Sequence, residues 1–455
     1  MRRWHSCVSS LILIAVMGVA APVPAQEPAG AMDAYVQAHV KASFFSGAVL
    51  VARDGKVIFE KGYGPANAEW NIPNTPQTKF RLGSVTKQFT AAAILLLQEQ
   101  GRLFVQDAVC AFVANCPDAW KPITLHHLLT HTSGIPNFTD FPDYKATMGL
   151  PSPASKSVER FIGKPLEFAP GSIYKYSNSG YVLLGLVVEK ASSMPYASFI
   201  TQRILTPLQM TDSGYDDPAM VLPRRASGYA IDGNGVKNAA FIDMTVPGGA
   251  GALYSTVDDL LKWDQALYSD RLLSAASREA MFTAFKQNYA YGWMVDAPSP
   301  ATSGRRRISH GGGINGFATF IARYPDDKVT VIVLSNLDAG RPGVIARDLA
   351  AILFGEKYDT PVARQVVAVD PKVLDTYVGQ YALAPTFVLT VTRDGSRLFA
   401  QATGQPIFEV FAESPVKFFL RVVDAQITFV IGADGAVTGL VLHQNGRDVP
   451  GSRIK

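Results

Sequence analysis

The sequence has few cysteines, few charged residues and no long run of basic residues, and these absences exclude several classes of protein. Charged residues make up 18% of the 455 positions, and the formal net charge is 42 − 38 = +4. Without a basic cluster, nucleic-acid binding is not expected. Disorder is excluded because 48% of the residues are hydrophobic, which is enough for a large core. At about 150 residues per domain, the length predicts two to four structural units.

Two common catalytic motifs are also missing. No Gly-x-Ser-x-Gly pentapeptide occurs, which argues against an α/β-hydrolase with a Ser-His-Asp triad. His127 and His131 have the i, i+4 spacing of zinc ligands, with His126 beside them, but no Glu lies between them as in His-Glu-x-x-His. A metal enzyme built on these histidines is therefore a minor alternative, and we predict that the protein needs no metal or organic cofactor.

The first 25 residues have the pattern of a secretory signal peptide. Arg2 and Arg3 supply a positive start, residues 8–21 are mostly apolar, and Val23-Pro24-Ala25 offers small residues for cleavage. The apolar stretch is shorter than the roughly 20 residues that span a bilayer. Cleavage after Ala25 removes two Arg and no acid, so the mature charge is 4 − 2 = +2. We therefore predict a periplasmic or secreted protein without a stable membrane span.

Export changes the interpretation of the cysteines. Only Cys110 and Cys116 remain after residues 1–25 are removed. In an oxidising compartment such a pair is a candidate disulfide. Two free buried thiols are the alternative, because spacing alone does not fix the geometry.

Predicted strands lie at both ends of the first 350 residues, and predicted helices lie between them. The candidate strands are 47–53, 56–61, 317–324 and 328–336. A strong helical pattern runs from Ser84 to Gln100 and stops at Gly101, and residues 102–290 are mainly helical in pattern. The pattern predicts an α/β (α+β) fold in which an antiparallel sheet is assembled from both ends around a helical insertion.

After a linker that contains Pro361, the composition becomes typical of β-structure. The candidate strands are 387–392, 398–402, 416–422, 427–431 and 437–443, and the turn signals are Asp394-Gly395, Asp434-Gly435 and Asn445-Gly446. An antiparallel barrel or sandwich is expected here. The predicted organisation is therefore a signal peptide at 1–25, a catalytic domain at 26–360, and a linker with a small all-β domain at 361–455.

The first candidate site is Ser84-Val85-Thr86-Lys87. Residues at i and i+3 share a helix face, so Lys87 is placed to reach the Ser84 hydroxyl. A serine needs a base to become a nucleophile, and a buried lysine with a lowered pKa can be that base. Ser-x-x-Lys also begins at Ser172, Ser414 and Ser452, but only the copy at Ser84 opens a long apolar helix. The alternative is a helix-capping serine beside a solvated lysine.

Two further segments carry residues suited to acyl transfer. Tyr176-Ser177-Asn178 is the chain's one Tyr-x-Asn; a tyrosine can relay a proton and an asparagine can orient a lysine or a substrate. His310-Gly311-Gly312-Gly313 precedes a predicted strand, where glycines allow a substrate to approach backbone N–H groups. A buried tyrosine in a polar loop, and a glycine turn beside a surface histidine, are the respective alternatives.

Taken together and in this order, Ser-x-x-Lys, Tyr-x-Asn and His-x-Gly resemble the serine β-lactamase and penicillin-binding-protein superfamily. The chain is most similar to the class C branch, which includes D-aminopeptidases, D-alanyl-D-alanine carboxypeptidases and esterases. The segments 128–136 and 251–256 resemble that branch too, so the resemblance covers roughly residues 35–350. The tail, with Tyr377-Val378-Gly379-Gln380-Tyr381, is similar to β-barrel domains appended to some members.

The resemblance implies a role for each matching residue. Ser84 is the expected nucleophile, Lys87 its base or proton relay, and Tyr176 a helper in acylation and in activating the deacylating water. Asn178 is expected to bind the substrate amide and to steady Lys87. His310, Gly312 and Gly313 are expected along the substrate-binding strand edge, and the backbone N–H groups of Ser84 and Gly313 would form the oxyanion hole.

One departure from the family pattern bears on the substrate. Many members carry Lys-Thr-Gly where this chain has His310-Gly311-Gly312, so the hydroxyl that would meet a substrate carboxylate is missing. This weakens the case for β-lactams and for terminal D-Ala-D-Ala. It favours esters, or peptides and amides of D-residues, as the small-molecule substrate. A catalytically silent binding or sensor domain is the alternative, and the oligomeric state is left open.

Overall fold

The hairpin near the start of the chain pairs with a strand far along it, and this pairing builds the main sheet. In the computed structural model the described residues are 28–232, 235–361, 364–405, 407–421, 425–444 and 447–454. Within them the main sheet has the spatial order Met294–Asp296, Arg307–Ile314, Phe317–Tyr324, Val329–Ser335, Gly47–Arg53 and Lys56–Tyr63. All its pairings are antiparallel. The predicted sheet assembled from both ends is confirmed.

Helices cover both faces of this sheet. In Gly47–Arg53, Ala48, Leu50 and Ala52 pack into the larger core, whereas Val49 and Val51 pack into the smaller core on the other face. An uninterrupted apolar run is typical of a strand buried on both faces. The smaller core is closed by the helices Pro28–Lys41 and Pro342–Phe354. The larger core contains the helical insertion.

The insertion packs around one almost fully enclosed helix, Thr86–Glu99. Every residue from Thr86 to Leu97 is buried, as expected for a helix with helices on several sides. The other α-helices of the described chain are Leu125–Leu129, Tyr144–Thr147, Ala154–Glu159, Asn178–Ser192, Tyr196–Ile200, Val257–Ala266, Ala275–Phe282 and Pro371–Tyr377. A π-helical turn, Thr201–Leu205, continues one of them. Short 3₁₀ turns lie at Gly83–Val85, Val109–Ala111, Asp118–Trp120, Phe138–Asp140, Gly248–Ala250 and Pro300–Thr302.

Short strands, most of which the sequence did not predict, tie the insertion together. Leu253–Ser255 lies between Phe80–Arg81 and Gly214–Tyr215 in a small antiparallel sheet. Two-stranded hairpins are formed by Pro65–Asn67 with Ile72–Pro73 and by Tyr229–Asp232 with Gly235–Asn238. Strands of two to four residues carry too little alternation to be recognised from sequence.

A buried ion pair links the insertion to the main sheet. Arg323 Nε, on the strand Phe317–Tyr324, lies 2.9 Å from Asp264 Oδ1, on the helix Val257–Ala266. Thr330 Oγ1 donates to Asp264 Oδ2 at 2.6 Å. Both charged side chains are almost fully buried, so removal of either partner would leave the other charge uncompensated. The pair therefore fixes this helix against two neighbouring strands.

The C-terminal segment forms a closed antiparallel barrel. Its strands in order are Gly379–Ala384, Phe387–Asp394, Arg397–Ala402, Ile407–Ala412, Lys417–Leu420, Ala425–Ile431, Val437–Gln444 and Arg447–Arg453. The last strand pairs with the first through Tyr381 and Arg453. The barrel was one of the two predicted architectures; three of its strands, 379–384, 407–412 and 447–453, were not predicted.

Several predictions fall outside what the structure tests. The signal peptide at 1–25 and the Asn445-Gly446 turn lie outside the described residues. The domain limits 26–360 and 361–455 stay predictions. In the described part of the chain, none of the helices has the length and apolar character needed to cross a membrane.

Cys110 and Cys116 are joined by a disulfide. The bond closes a loop of residues 110–116, which begins within the 3₁₀ turn Val109–Ala111. Both cysteines pack against the larger core. Of the two alternatives left open by the sequence, the structure has the bonded pair.

Candidate active site

Ser84 lies at the junction between a short strand and the enclosed helix. The strand Phe80–Arg81 leads into the 3₁₀ turn Gly83–Val85, and the helix Thr86–Glu99 follows directly. Gly83 has a φ of +53°, a conformation that glycine adopts without a steric penalty. Ser84 is partly exposed, whereas its neighbours Gly83 and Val85 are buried. The turn thus presents one hydroxyl to a cavity.

Lys87 is buried and makes three polar contacts. Its Nζ lies 2.9 Å from Asn178 Oδ1, 2.8 Å from the Ala250 carbonyl oxygen and 3.0 Å from Ser84 Oγ. Burial lowers the pKa of Lys87 well below its ordinary value. A neutral amine has two N–H groups and one lone pair. Since the two carbonyl oxygens only accept, they take both N–H groups and leave the lone pair for Ser84.

Tyr176 approaches the same hydroxyl from another segment. Its phenol oxygen lies 2.7 Å from Ser84 Oγ, and Lys87 Nζ lies 4.8 Å from the centre of its ring. Burial raises the pKa of Tyr176 above its ordinary value, so the phenol stays protonated at neutral pH. Tyr176 therefore donates a hydrogen bond to Ser84 Oγ.

Asn178 is the first residue of the helix Asn178–Ser192. Its backbone N–H donates to Asn137 Oδ1 at 3.0 Å, and its Nδ2 donates to Thr139 Oγ1 at 3.3 Å. These bonds orient the amide so that its oxygen faces Lys87. The structure thus brings together four of the candidate site residues: Ser84, Lys87, Tyr176 and Asn178.

His310 lies on the strand Arg307–Ile314, and the centre of its ring is 6.5 Å from that of Tyr176. Its Nδ1 lies 2.6 Å from the Gly311 carbonyl oxygen, which only accepts, so Nδ1 carries a proton. Its Nε2 lies 3.0 Å from the Tyr289 hydroxyl. Burial lowers the pKa of His310 to about 4. The imidazole is therefore neutral at neutral pH and supplies no cation to a substrate carboxylate there.

The strand edge that faces Ser84 is built from close backbone contacts. The strand Met294–Asp296 pairs with Arg307–Ile314 only as far as Ser309, so the following residues have no strand on that side. A Cβ on Gly312 would lie 2.0 Å from the Leu82 carbonyl oxygen. A Cβ on Gly83 would lie 2.9 Å from the Gly313 carbonyl oxygen. Glycines thus allow the Ser84 turn to lie directly on the strand edge.

A cavity of about 200 Å³ opens beside these residues. Polar groups and apolar side chains both line it: Gly83, Ser84, Phe138, Thr139, Tyr144, Asn178, Ile242, Pro247, Ala250, Gly251, Gly313, Ile314 and Asn315. Its size suits the reacting part of a small molecule. Of the predicted residues, Ser84, Asn178 and Gly313 line it, whereas Lys87, Tyr176, His310 and Gly312 do not.

Sequence reasoning missed three contributors to the site. The Ala250 carbonyl oxygen holds Lys87, and a backbone group leaves no mark of its own in the sequence. Tyr289 binds His310 from a segment with an aromatic-rich pattern, residues 289–293, that was not singled out. His131 packs its ring 4.3 Å from that of Tyr176, centre to centre, and its Nδ1 accepts the Ser177 N–H.

The three histidines weighed as zinc ligands have other partners. His126 Nδ1 lies 2.8 Å from the Tyr291 hydroxyl, and His127 Nδ1 accepts the Thr124 N–H at 3.2 Å. His131 faces Tyr176 and Ser177, as above. Among the residues the structure describes, no group of three or more His, Cys, Asp or Glu is arranged to hold a metal ion.

Comparison with known proteins gives matches along nearly the whole chain. The family model described as Beta-lactamase matches residues 32–355, and the Domain of unknown function DUF3471 matches residues 363–453. Penicillin-binding protein 4* of Bacillus subtilis (strain 168) is 32% identical over 444 residues, which cover 90% of this chain and 95% of the relative. The first match spans every candidate site residue from Ser84 to Gly313.

Two solved structures also superpose on most of this chain. An octameric penicillin-binding protein homologue from Pyrococcus abyssi superposes with a TM-score of 0.66 at 27% identity, covering 93% of this chain and 99% of that one. A D-stereospecific amidohydrolase from Streptomyces sp. superposes with a TM-score of 0.59 at 27% identity, covering 72% of this chain and 98% of that one.

The two neighbouring glycines of the strand edge provide a matched pair of substitutions. Gly312→Ala is expected to destabilise the fold by about 1–3 kcal/mol or more, because its methyl group would overlap the Leu82 carbonyl oxygen. Gly311→Ala is the control, because its methyl group would meet Phe320 at 3.4 Å, close to ordinary contact. Thermal unfolding of both variants checks this. Equal melting temperatures would contradict the close approach.

Proposed function

This chain belongs to the Beta-lactamase family, and on that premise we propose that it is a serine hydrolase that transfers the acyl group of an ester or amide to Ser84 and then to water. The class C-related branch is the proposed place within the family, because Ser84-x-x-Lys87, Tyr176-x-Asn178 and His310-x-Gly312 occur together and in that order.

One observation carries this proposal. Ser84 Oγ lies between Lys87 Nζ, at 3.0 Å, and the Tyr176 hydroxyl, at 2.7 Å, at the wall of a cavity. A nucleophile within hydrogen-bond reach of a base, which other groups orient in turn, is the arrangement that activates a hydroxyl. Lys87 is oriented by Asn178 and by the Ala250 carbonyl oxygen.

In the proposed acylation, Ser84 Oγ attacks the substrate's carbonyl carbon while its proton passes to the lone pair of Lys87. The carbonyl π-electrons move to the oxygen, and the backbone N–H groups of Ser84 and Gly313 stabilise that charge. The oxyanion electrons then re-form the carbonyl, and the bond from its carbon to the alcohol oxygen or amine nitrogen breaks. Tyr176, protonated because burial raises its pKa, donates a proton to that departing alcohol or amine. Lys87 returns its proton to Tyr176, and the acyl group remains on Ser84.

Deacylation reverses these proton transfers with water as the nucleophile. Tyr176 and Lys87 together accept a proton from the water, whose oxygen bonds to the acyl carbon. The bond to Ser84 Oγ then breaks, and the proton returns to Ser84. The products are a carboxylic acid and the free enzyme.

The proposed substrates are carboxylic esters, or amides and peptides of D-residues, rather than β-lactams. Gly311 has no hydroxyl for a carboxylate beside the scissile bond, and His310 is neutral there with a pKa of about 4. The similarity to a D-stereospecific amidohydrolase supports D-residue amides.

Export is proposed on the pattern of residues 1–25, and the disulfide between Cys110 and Cys116 supports it. The mature protein is expected to begin at Gln26 and to reach the periplasm or the medium. Mass spectrometry of the protein from cell fractions checks this. A cytoplasmic protein that retains residues 1–25 would refute export.

Ser84→Ala is expected to lower kcat for ester hydrolysis by at least about 10³-fold, because the nucleophile is lost. Ser452→Ala is the matched control: Ser452 also begins a Ser-x-x-Lys but lies exposed on the barrel. Intact-mass spectrometry of acid-quenched samples should detect an acyl adduct on wild type and on Ser452→Ala only. No adduct and no turnover with any ester or amide would instead support a silent binding domain.

The activity towards a neutral ester is expected to fall at acidic pH. Lys87 acts in its neutral form, and burial lowers its pKa, so kcat/KM should fall as the pH drops through that lowered pKa and the amine takes up a proton. Lys87→Met should lose about 10²–10⁴-fold at all pH values. Lys175→Ala, which removes an exposed lysine paired with Glu167, should keep the wild-type profile. A rate that rises towards acid would contradict the role of Lys87.

A further inference from the structure

A larger cavity of about 610 Å³ adjoins the one at Ser84. Asn315 lines both cavities. Asn315 lies at the tip of the hairpin formed by Arg307–Ile314 and Phe317–Tyr324, and its Nδ2 donates to the Ala240 carbonyl oxygen at 2.8 Å. Ala240 lines the larger cavity, and Ile242 lines the smaller one. The two spaces therefore lie side by side, with Asn315 between them.

The larger cavity has an excess of positive charge. Arg81 Nε lies 2.6 Å from Asp216 Oδ2, and Arg225 Nη1 lies 2.8 Å from Asp216 Oδ1. Asp216 is fully buried, so one carboxylate compensates two guanidinium groups. Among the described residues that line this cavity, these two arginines are the charged ones. Each guanidinium has five N–H groups, and a planar fork of such donors suits a second carboxylate.

The rim of the cavity is apolar. Met220, Val221 and Phe241 line it and are 39%, 92% and 58% exposed. Apolar side chains gathered around a concave surface are typical of a ligand-binding site. The compartment therefore combines apolar contact with a cationic end.

We propose that this compartment binds the carboxylate end of an apolar arm on the acyl group that reacts at Ser84. The proposal rests on the proposed function and names its substrate class: esters or amides of acids that carry a second carboxylate several atoms from the scissile carbonyl. Arg81 precedes Ser84 by three residues, so their Cα atoms lie at most about 11 Å apart. An arm of several methylene groups spans such a distance.

This location differs from the strand edge at His310, where the imidazole is neutral and Gly311 has no hydroxyl. A carboxylate next to the scissile bond meets no cation there. A carboxylate at the end of an arm that passes Asn315 meets Arg225 and Arg81. The position of the charge on the substrate, rather than its presence alone, is thus the expected basis of selectivity.

The chain offers a matched control beside Arg225. Arg224 Nη2 lies 2.6 Å from Asp212 Oδ1, and Lys79 Nζ lies 3.1 Å from the same oxygen. Arg224 is thus also one of two cations on one aspartate, but it does not line the cavity. Replacing either arginine with Gln leaves its aspartate with one remaining cation.

The first experiment measures binding without turnover. In Ser84→Ala protein, calorimetry compares the para-nitrophenyl monoester of suberic acid with its neutral methyl para-nitrophenyl diester. The anionic ester is expected to bind at least about tenfold more tightly, as for one charge-assisted hydrogen bond. Adding Arg225→Gln should abolish the preference, and adding Arg224→Gln should retain it.

Two results would overturn the proposed compartment. One is equal binding of the anionic and the neutral ester by Ser84→Ala protein, and the other is an equal loss of the preference for the anionic ester with Arg224→Gln and with Arg225→Gln. Comparing the two esters on Ser84→Ala protein needs no change at Arg225, so this measurement tests the proposal even if the Arg225→Gln variant does not fold. Hydrolysis of the same two esters by wild type separates this inference from the proposed function. If wild type hydrolyses both esters at equal rates, the proposed carboxylate-binding compartment is refuted and the proposed hydrolase activity is not. If the anionic ester binds more tightly but neither ester is hydrolysed, the proposed hydrolase activity is refuted and the compartment is not.

Discussion

The antiparallel pairing of Gly47–Arg53 with Val329–Ser335 is the constraint on which the site depends. It joins the two ends of a long segment, so the helical insertion must fold back between them. Ser84 and Lys87 come from the early part of this segment, Tyr176 and Asn178 from the middle, and Gly313 from the late part. Because Gly83 lies against Gly313 with no room for a Cβ, the helix start and the sheet edge meet at one place.

Burial of Lys87 links the proposed chemistry to stability. A lysine exposed in the unfolded chain titrates near its ordinary value of 10.5, whereas burial lowers the pKa of Lys87 in the folded chain. Between these two values the unfolded chain binds more protons, so this residue opposes folding at neutral pH and does so less as the pH rises. Burying Lys87 beside Ser84 therefore lowers the free energy of unfolding. Packing of the large core around the helix Thr86–Glu99 offsets this loss.

Local patterns predicted the parts of the structure that are decided locally. The strands that begin at Gly47 and Lys56, the helix after Ser84 and the i, i+3 approach of Lys87 to Ser84 follow from neighbouring residues. The state of His310 does not follow from its neighbours, because its lowered pKa depends on burial and on Lys87, a residue distant in the chain. The Ala250 carbonyl oxygen is a backbone group, and the short strand Leu253–Ser255 is defined by its partners. Barrel closure likewise depends on pairing between the first and last strands of the tail.

The closed barrel also limits how the tail can meet other molecules. In the described residues each of its strands has a hydrogen-bonded neighbour on both sides. An open sheet can accept an extra strand from a peptide or from another copy of itself, and thereby risks aggregation. Among the described residues, the ring has no unpaired edge strand. A partner that meets these strands contacts their side chains rather than a strand edge, so recognition there can vary while the backbone stays the same.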